Sequence, residues 1–286
     1  MRKPLSKTLS NIDNSAFFDI IGNMKQVMLI IDPQNDFCDP QGALAVSNAA
    51  ADCERLAAFI NRNIEKIDSI FVTMDTHHLF HIANPLFWLT KEGAPPEPFT
   101  IITAQAIREN LFKAANSAYQ KHALSYVETL EKENRYQLCI WPPHCLEGSW
   151  GHGVFPVVFN AICDWEKAAP GRITEFIQKG GNPKTEHYSA IRAEVPDPLD
   201  PNSTENVGLL KKLKTADTIY IAGQALSHCV ANTVRDLLKV LPSEKLIILE
   251  DTTSNVTGFE RVGEEFLKEA QRHGVRCIRS EDGLLG

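Results

Sequence analysis

The chain carries a cysteine, two aspartates, a lysine and a pair of histidines at places where side chains of these types do chemistry. Cys229 lies in the run Ala222-Gly223-Gln224-Ala225-Leu226-Ser227-His228-Cys229-Val230, where an apolar strand ends on glycine and a helical period begins. Free backbone N–H groups and the positive end of the helix dipole favour a thiolate there, lowering its pKa from about 8.5. The same N–H groups could hold an oxyanion. The alternative is a packing cysteine, since free cysteine is among the most buried residue types.

Asp32 directly follows the apolar run Val27-Met28-Leu29-Ile30-Ile31. Partial burial should raise its pKa and suit it to shuttle a proton, although an aspartate at this point can also cap the following turn, the part Asp36 is expected to play. Lys179 ends a third apolar run beside Gly180 and Gly181, where its charge could hold a thiolate, whereas Lys184, past Pro183, reads as an ordinary surface lysine. Asp75 and His77 end another strand at i and i+2, a spacing that can point both side chains the same way and resembles half of a metal site. Trp141-Pro142-Pro143-His144-Cys145 offers a further nitrogen ligand; His78 and His81 are weaker candidates, and solvated loop histidines are the competing reading.

Such residues must be brought together by a scaffold. Residues 26–32, 69–74, 173–178, 218–223, 245–250 and 275–279 are short apolar runs that read as six strands, and residues 48–64, 230–240 and 259–273 have helical periodicity. Strands alternating with helices imply an α/β fold: a three-layer, doubly wound parallel sheet flanked by helices, with ligands bound at the carboxyl ends of the strands. Asp32, Asp75, Lys179 and Cys229 all fall at such ends. The stretch 76–171 is far longer than an ordinary crossover. It reads as a largely helical insertion after the second strand, with helices over 105–116 and 119–134 and a short strand over 137–141, contributing metal and pocket residues. The whole, 1–286, is expected to be a single domain, with 1–25 as an N-terminal arm.

Composition narrows the function classes. The chain is 43% hydrophobic and 23% charged, enough for a substantial core, and its net charge of −7 without a basic run argues against nucleic acid as a partner. No apolar stretch reaches membrane-spanning length and the N-terminus lacks a signal-like apolar core, so a cytoplasmic location away from membranes is expected. Seven scattered cysteines without CxxC pairs argue against a disulfide framework or a zinc ribbon. Cys38 and Cys145 lie near the motifs and are expected to be packing residues.

These motifs, in this order, resemble the isochorismatase-like cysteine hydrolases, and among them the nicotinamidases. Ile31 to Phe37 is similar to the family's aspartate motif, Lys179 with Tyr188-Ser189-Ala190 to its lysine motif, and Ala222 to Val230 to its nucleophile motif, while Asp75-Thr76-His77 and Trp141 to Cys145 resemble the nicotinamidase metal site. The resemblance spans about Gln26 to Asp251. It implies a catalytic triad of Asp32, Lys179 and Cys229, with an oxyanion hole from the N–H groups of Ala225 and Cys229 and a cis peptide between Gln224 and Ala225. It also implies a divalent metal, zinc or else iron or manganese, on Asp75, His77 and His144, with His81 as a further ligand, and a substrate ring held by Phe37 and Trp141. The expected reaction is hydrolysis of a small carboxamide, nicotinamide above all, by a homo-oligomer. The chain departs from the family at Ile191, where an aromatic is common, and at Ser227, where an acidic residue often stands. A related amidase or carbamoyl hydrolase acting on another small amide is the alternative, followed by a non-catalytic ligand-binding relative; a cysteine protease fits less well, because His228 would point away from the thiol.

Overall fold

The protein is described here from a computed structural model, over residues 24–133 and 136–283. The expected N-terminal arm, apart from Met24 and Lys25, lies outside these residues. β1 (Gln26–Ile31) leads through α1 (Ala49–Arg62) to β2 (Ser69–Asp75). After the long excursion, which contains α2 (Gln120–Glu133), α3 (Pro156–Ala168) leads to β3 (Glu175–Lys179). α4 (Val207–Lys214), β4 (Thr218–Gly223), α5 (Ala231–Leu237), β5 (Leu246–Leu249), α6 (Glu260–Arg272) and β6 (Arg276–Ile278) complete the chain.

All six strands are parallel, in the order β6-β5-β4-β1-β2-β3. The chain winds outward from β1 in one direction and from β4 in the other, so the switch point lies between these two strands. With right-handed crossovers this places the helices of the two halves on opposite faces. α1 packs against α3, and α5 against α6. Strands covered on both faces should be apolar throughout, and every residue of β1, β4 and β5 is buried. β3, at the sheet edge, instead alternates between half-buried and exposed until Lys179.

The six strands expected from sequence are all present, each within two residues of its reading. The excursion differs more. The helix expected over 105–116 runs only from Ala104 to Arg108, and the chain then pairs Phe112–Ala114 antiparallel with Trp88–Thr90. The strand expected over 137–141 is reduced to Leu138–Cys139, paired with Ile101–Ile102. The last part of 76–171 is α3, an ordinary crossover helix burying Val158, Ala161, Ile162 and Trp165 at i, i+3, i+4 and i+7, so the extra structure is shorter than the full interval. Beyond Val230 the helix is α5, shorter than read, and a wide turn precedes it, closed by Val230 N–H donating to Ala225 O at 3.2 Å.

Candidate active site

The switch point places Asp32 and Cys229 side by side at the carboxyl ends of adjacent strands. Gly223, at φ 106°, makes this approach possible: a Cβ there would lie 2.0 Å from Ile31 O. Asp32 itself is left-handed at φ 43° and is held by a reciprocal pair of bonds to Thr73 on β2. Its N–H donates to Thr73 Oγ1 at 3.0 Å, and that hydroxyl donates to Asp32 Oδ1 at 2.5 Å. Asp32 Oδ2 is left to Lys179 Nζ, 2.9 Å away.

Lys179 is the hub of the buried cluster. Its ammonium reaches Asp75 Oδ1 at 3.0 Å, donates to His187 O at 2.9 Å, and lies 3.6 Å from Cys229 Sγ. Burial works against its charge, but the Asp32 and Asp75 carboxylates more than offset this and hold it protonated, with its pKa well above the ordinary range. Burial raises Asp32, against the pull of Lys179, in the direction its sequence context predicts.

The expectation for Cys229 is corrected. Burial is the largest effect on its thiol and pushes the pKa up; Lys179 opposes this, Asp32 and Asp75 add to it, and the net shift is well upward. Cys229 also sits in the wide turn before α5 rather than at the helix start. The resting group is therefore a thiol, with the Asp32 carboxylate beside it. The peptide between Gln224 and Ala225 is cis, as the resemblance implied.

The second group of residues gathers on the other side of Asp75. Asp75 Oδ2 lies 3.0 Å from His77 Nε2 and 3.4 Å from His144 Nε2, and all three side chains are buried. His144 Nδ1–H donates to Pro142 O at 2.8 Å, which leaves the Nε2 lone pair directed at the cluster, the arrangement common to ligating histidines. Burial alone would raise Asp75, yet His77 and Lys179 hold its pKa well below the carboxylate range, in the form a cation needs. Two imidazoles and a carboxylate within 4.8 Å of one another fit a divalent metal with a coordination position left open. His81 fits less well, because both its nitrogens are engaged: Nδ1 accepts from Ala83 N–H at 3.2 Å and Nε2 bonds Thr185 O at 3.1 Å. His78 is exposed beside Glu147.

Both groups border one small cavity of about 30 Å³, lined by Phe37, Trp141, His144, Tyr188, Ala225 and Cys229, among others. The expected ring-holding residues Phe37 and Trp141 thus line the same cavity as Cys229. His228 also lines it, with its ring packed on Tyr136, Trp141, Tyr188 and Phe259. Asp36, read as a cap of the turn after β1, instead ties two loops together: its carboxylate accepts from Ala43 N–H at 3.0 Å and from Cys145 N–H at 2.6 Å, joining the β1 loop to the His144 loop. Cys38 and Cys145 are buried free thiols, and Lys184 pairs with Asp197. A wider groove behind Lys179, lined by residues including Gly180, Asn182 and His187, does not include Cys229.

Three participants were given no role by the sequence reading, although Gln34 and Tyr188 lie within its motifs. Gln34 clamps Asp75 through its backbone, donating from Nε2 to Asp75 O and accepting from Asp75 N–H, both at 2.7 Å. Glu186 and Tyr188 line the cavity. Glu186 lies near His77 and His81 with its Oε2 unpartnered.

A parallel sheet in this order, with an aspartate, a lysine and a cysteine converging beyond its strand ends, is the isochorismatase-like fold. Its solved representatives similar to this chain include the nicotinamidase of Saccharomyces cerevisiae (TM-score 0.62, 20% identity, covering 88% of this chain and 99% of that one) and the nicotinamidase/pyrazinamidase of Acinetobacter baumanii (0.61, 22%, 91% and 98%). The pyrazinamidase of Pyrococcus horikoshii, solved in complex with zinc, is similar at TM-score 0.53 and 19% identity, over 89% of this chain and 99% of that one. In sequence, the Saccharomyces cerevisiae nicotinamidase is 21% identical over 253 residues, 88% of this chain and 99% of the relative. No family model matches the chain.

Proposed function

We propose that this chain is a metal-dependent cysteine amidohydrolase that converts nicotinamide to nicotinate and ammonia. The observation that carries the reading is that Cys229, with Asp32 and Lys179 beside it, opens on the same cavity as His144 and Asp75 of the metal-type donor set. Similarity to nicotinamidases over nearly the whole chain supports the choice of substrate.

Asp32 removes the Cys229 proton as sulfur attacks the carboxamide carbon, and the carbonyl π electrons move onto oxygen. N–H groups of Ala225 and Cys229 receive that oxyanion, each such donor being worth about 2.7–4 kcal/mol of barrier. Collapse of the tetrahedral adduct breaks the C–N bond, and Asp32 returns the proton to the departing nitrogen, giving ammonia and a thioester. Water then attacks the thioester carbon as Asp32 takes its proton, the C–S bond breaks, and Asp32 returns the proton to sulfur to regenerate the thiol. Lys179 keeps its charge throughout and stabilises each anionic form of its neighbours. Phe37 and Trp141 hold the ring. Asp75, His77 and His144 would hold the divalent ion, zinc or else iron or manganese, which when bound would supply a Lewis acid for a heterocyclic nitrogen. A single domain, homo-oligomeric assembly and a cytoplasmic location belong to the same proposal; among the described residues no helix is long and apolar enough to cross a membrane.

Ammonia release from nicotinamide, followed for the wild type, Cys229→Ala and chelator-treated protein, tests the reading. Release that needs both thiol and metal supports it. A folded, metal-loaded protein that releases none ends the nicotinamide assignment.

A further inference from the structure

His228 lines the cavity beside Cys229, yet no step above uses it. Its imidazole is packed among four rings: Tyr136 stacks on it at 5.2 Å, and Trp141, Tyr188 and Phe259 meet it in T-shaped contacts at 5.3, 5.2 and 4.8 Å. Burial in these surroundings brings its pKa down to about 3, so the ring is neutral and carries one N–H.

Ser227 decides which nitrogen carries that proton. Its Oγ lies 2.9 Å from His228 Nδ1 and accepts from Val256 N–H at 3.2 Å, and the residue is fully buried. The hydroxyl has one proton to give, and among the described residues Nδ1 is its only acceptor. Leaving a buried O–H unbonded is costly. The hydroxyl therefore donates to Nδ1, and the imidazole proton falls on Nε2, which has no partner among the described residues.

We propose that Ser227 is a positioning residue that fixes His228 as a neutral Nε2–H donor facing the cavity, where it binds an acceptor atom of the amide substrate. This rests on the reading of the cavity as the amide site. An acidic side chain at 227, able only to accept, would draw the proton to Nδ1 and turn a bare Nε2 lone pair to the same place. The serine thus chooses between donor and acceptor at this wall without altering the nucleophile.

Nitrogen-15 NMR of the imidazole in the wild type, Ser227→Asp and Ser227→Thr proteins, paired with kinetics on nicotinamide, tests this. The wild type and Ser227→Thr are expected to show a protonated Nε2 and an unprotonated Nδ1, and Ser227→Asp the reverse. With the reversal, KM should rise about three- to tenfold, the worth of one hydrogen bond, while kcat changes little. A wild-type spectrum with the proton on Nδ1 overturns the inference, as does a reversed tautomer in Ser227→Asp with KM unchanged. The spectrum requires no turnover, so a protein inactive on nicotinamide would sink the functional reading while the tautomer is still decided.

Discussion

The two halves of the site are built by different means. Asp32, Lys179 and Cys229 stand at or just beyond the ends of β1, β3 and β4, and their separations follow from the spacing of the sheet. The facing wall, with His144, Trp141 and Tyr188, rides on irregular chain whose path is set by individual hydrogen bonds, such as Trp141 N–H to Ala83 O at 2.7 Å and Trp141 Nε1–H to the Tyr188 hydroxyl at 3.1 Å. Asp75 belongs to both, since it ends β2 and contacts Lys179 through one oxygen and the histidines through the other. The comparison suggests that the reaction is carried by the sheet and the choice of substrate by the loops.

Damage on the sheet side should therefore abolish turnover, and damage on the loop side should weaken binding. Cys229→Ala is expected to lower kcat by 10⁴-fold or more, on the order seen when a nucleophile is removed, with nicotinate binding by calorimetry retained. Next comes Lys179→Met, which leaves Asp32 and Asp75 buried and close without a counter-charge. It should cost about 3–5 kcal/mol of stability in denaturant melts as well as activity, because breaking a buried ion pair strands its partners. Were the protein to keep its stability, the hub role given to Lys179 would be wrong.

On the other side, His144→Ala or exhaustive chelation should remove a metal detectable by elemental analysis at about one ion per chain. KM should then rise more than kcat falls; a drop confined to kcat would move the metal to the sheet side of the comparison. Gln34→Ala removes the two bonds that fix the Asp75 backbone, and metal affinity should weaken about tenfold with the triad chemistry otherwise intact. The smallest effect is expected of Tyr188→Phe, which deletes the acceptor for the Trp141 indole and should cost about 0.5–1.5 kcal/mol, read as a modest rise in KM.

How much of this was legible beforehand follows the same division. The strands were readable because burial on both faces demands continuous apolar runs, as in Val27 to Ile31 and Leu246 to Leu249. The residues ending them could be singled out for the same reason. Inside 76–171 the periodicity was weak: the helix begun at Ala104 stops at Arg108, where Asn110 adopts φ 59° and the chain turns into a strand. Gln34 and Glu186 escaped notice because their roles depend on partners 41 and 109 positions away, Asp75 and His77, and local pattern carries no trace of such pairings.

From its sequence alone, then, the chain determined a parallel α/β scaffold and the identity of the residues at its strand ends, because hydrophobic burial acts on local, periodic pattern. Only the tertiary structure decided the ionisation of Cys229, the side to which His228 turns and which histidine nitrogens remain free for a metal. Those depend on desolvation and on hydrogen bonds between distant segments, which exist only once the chain has closed around them.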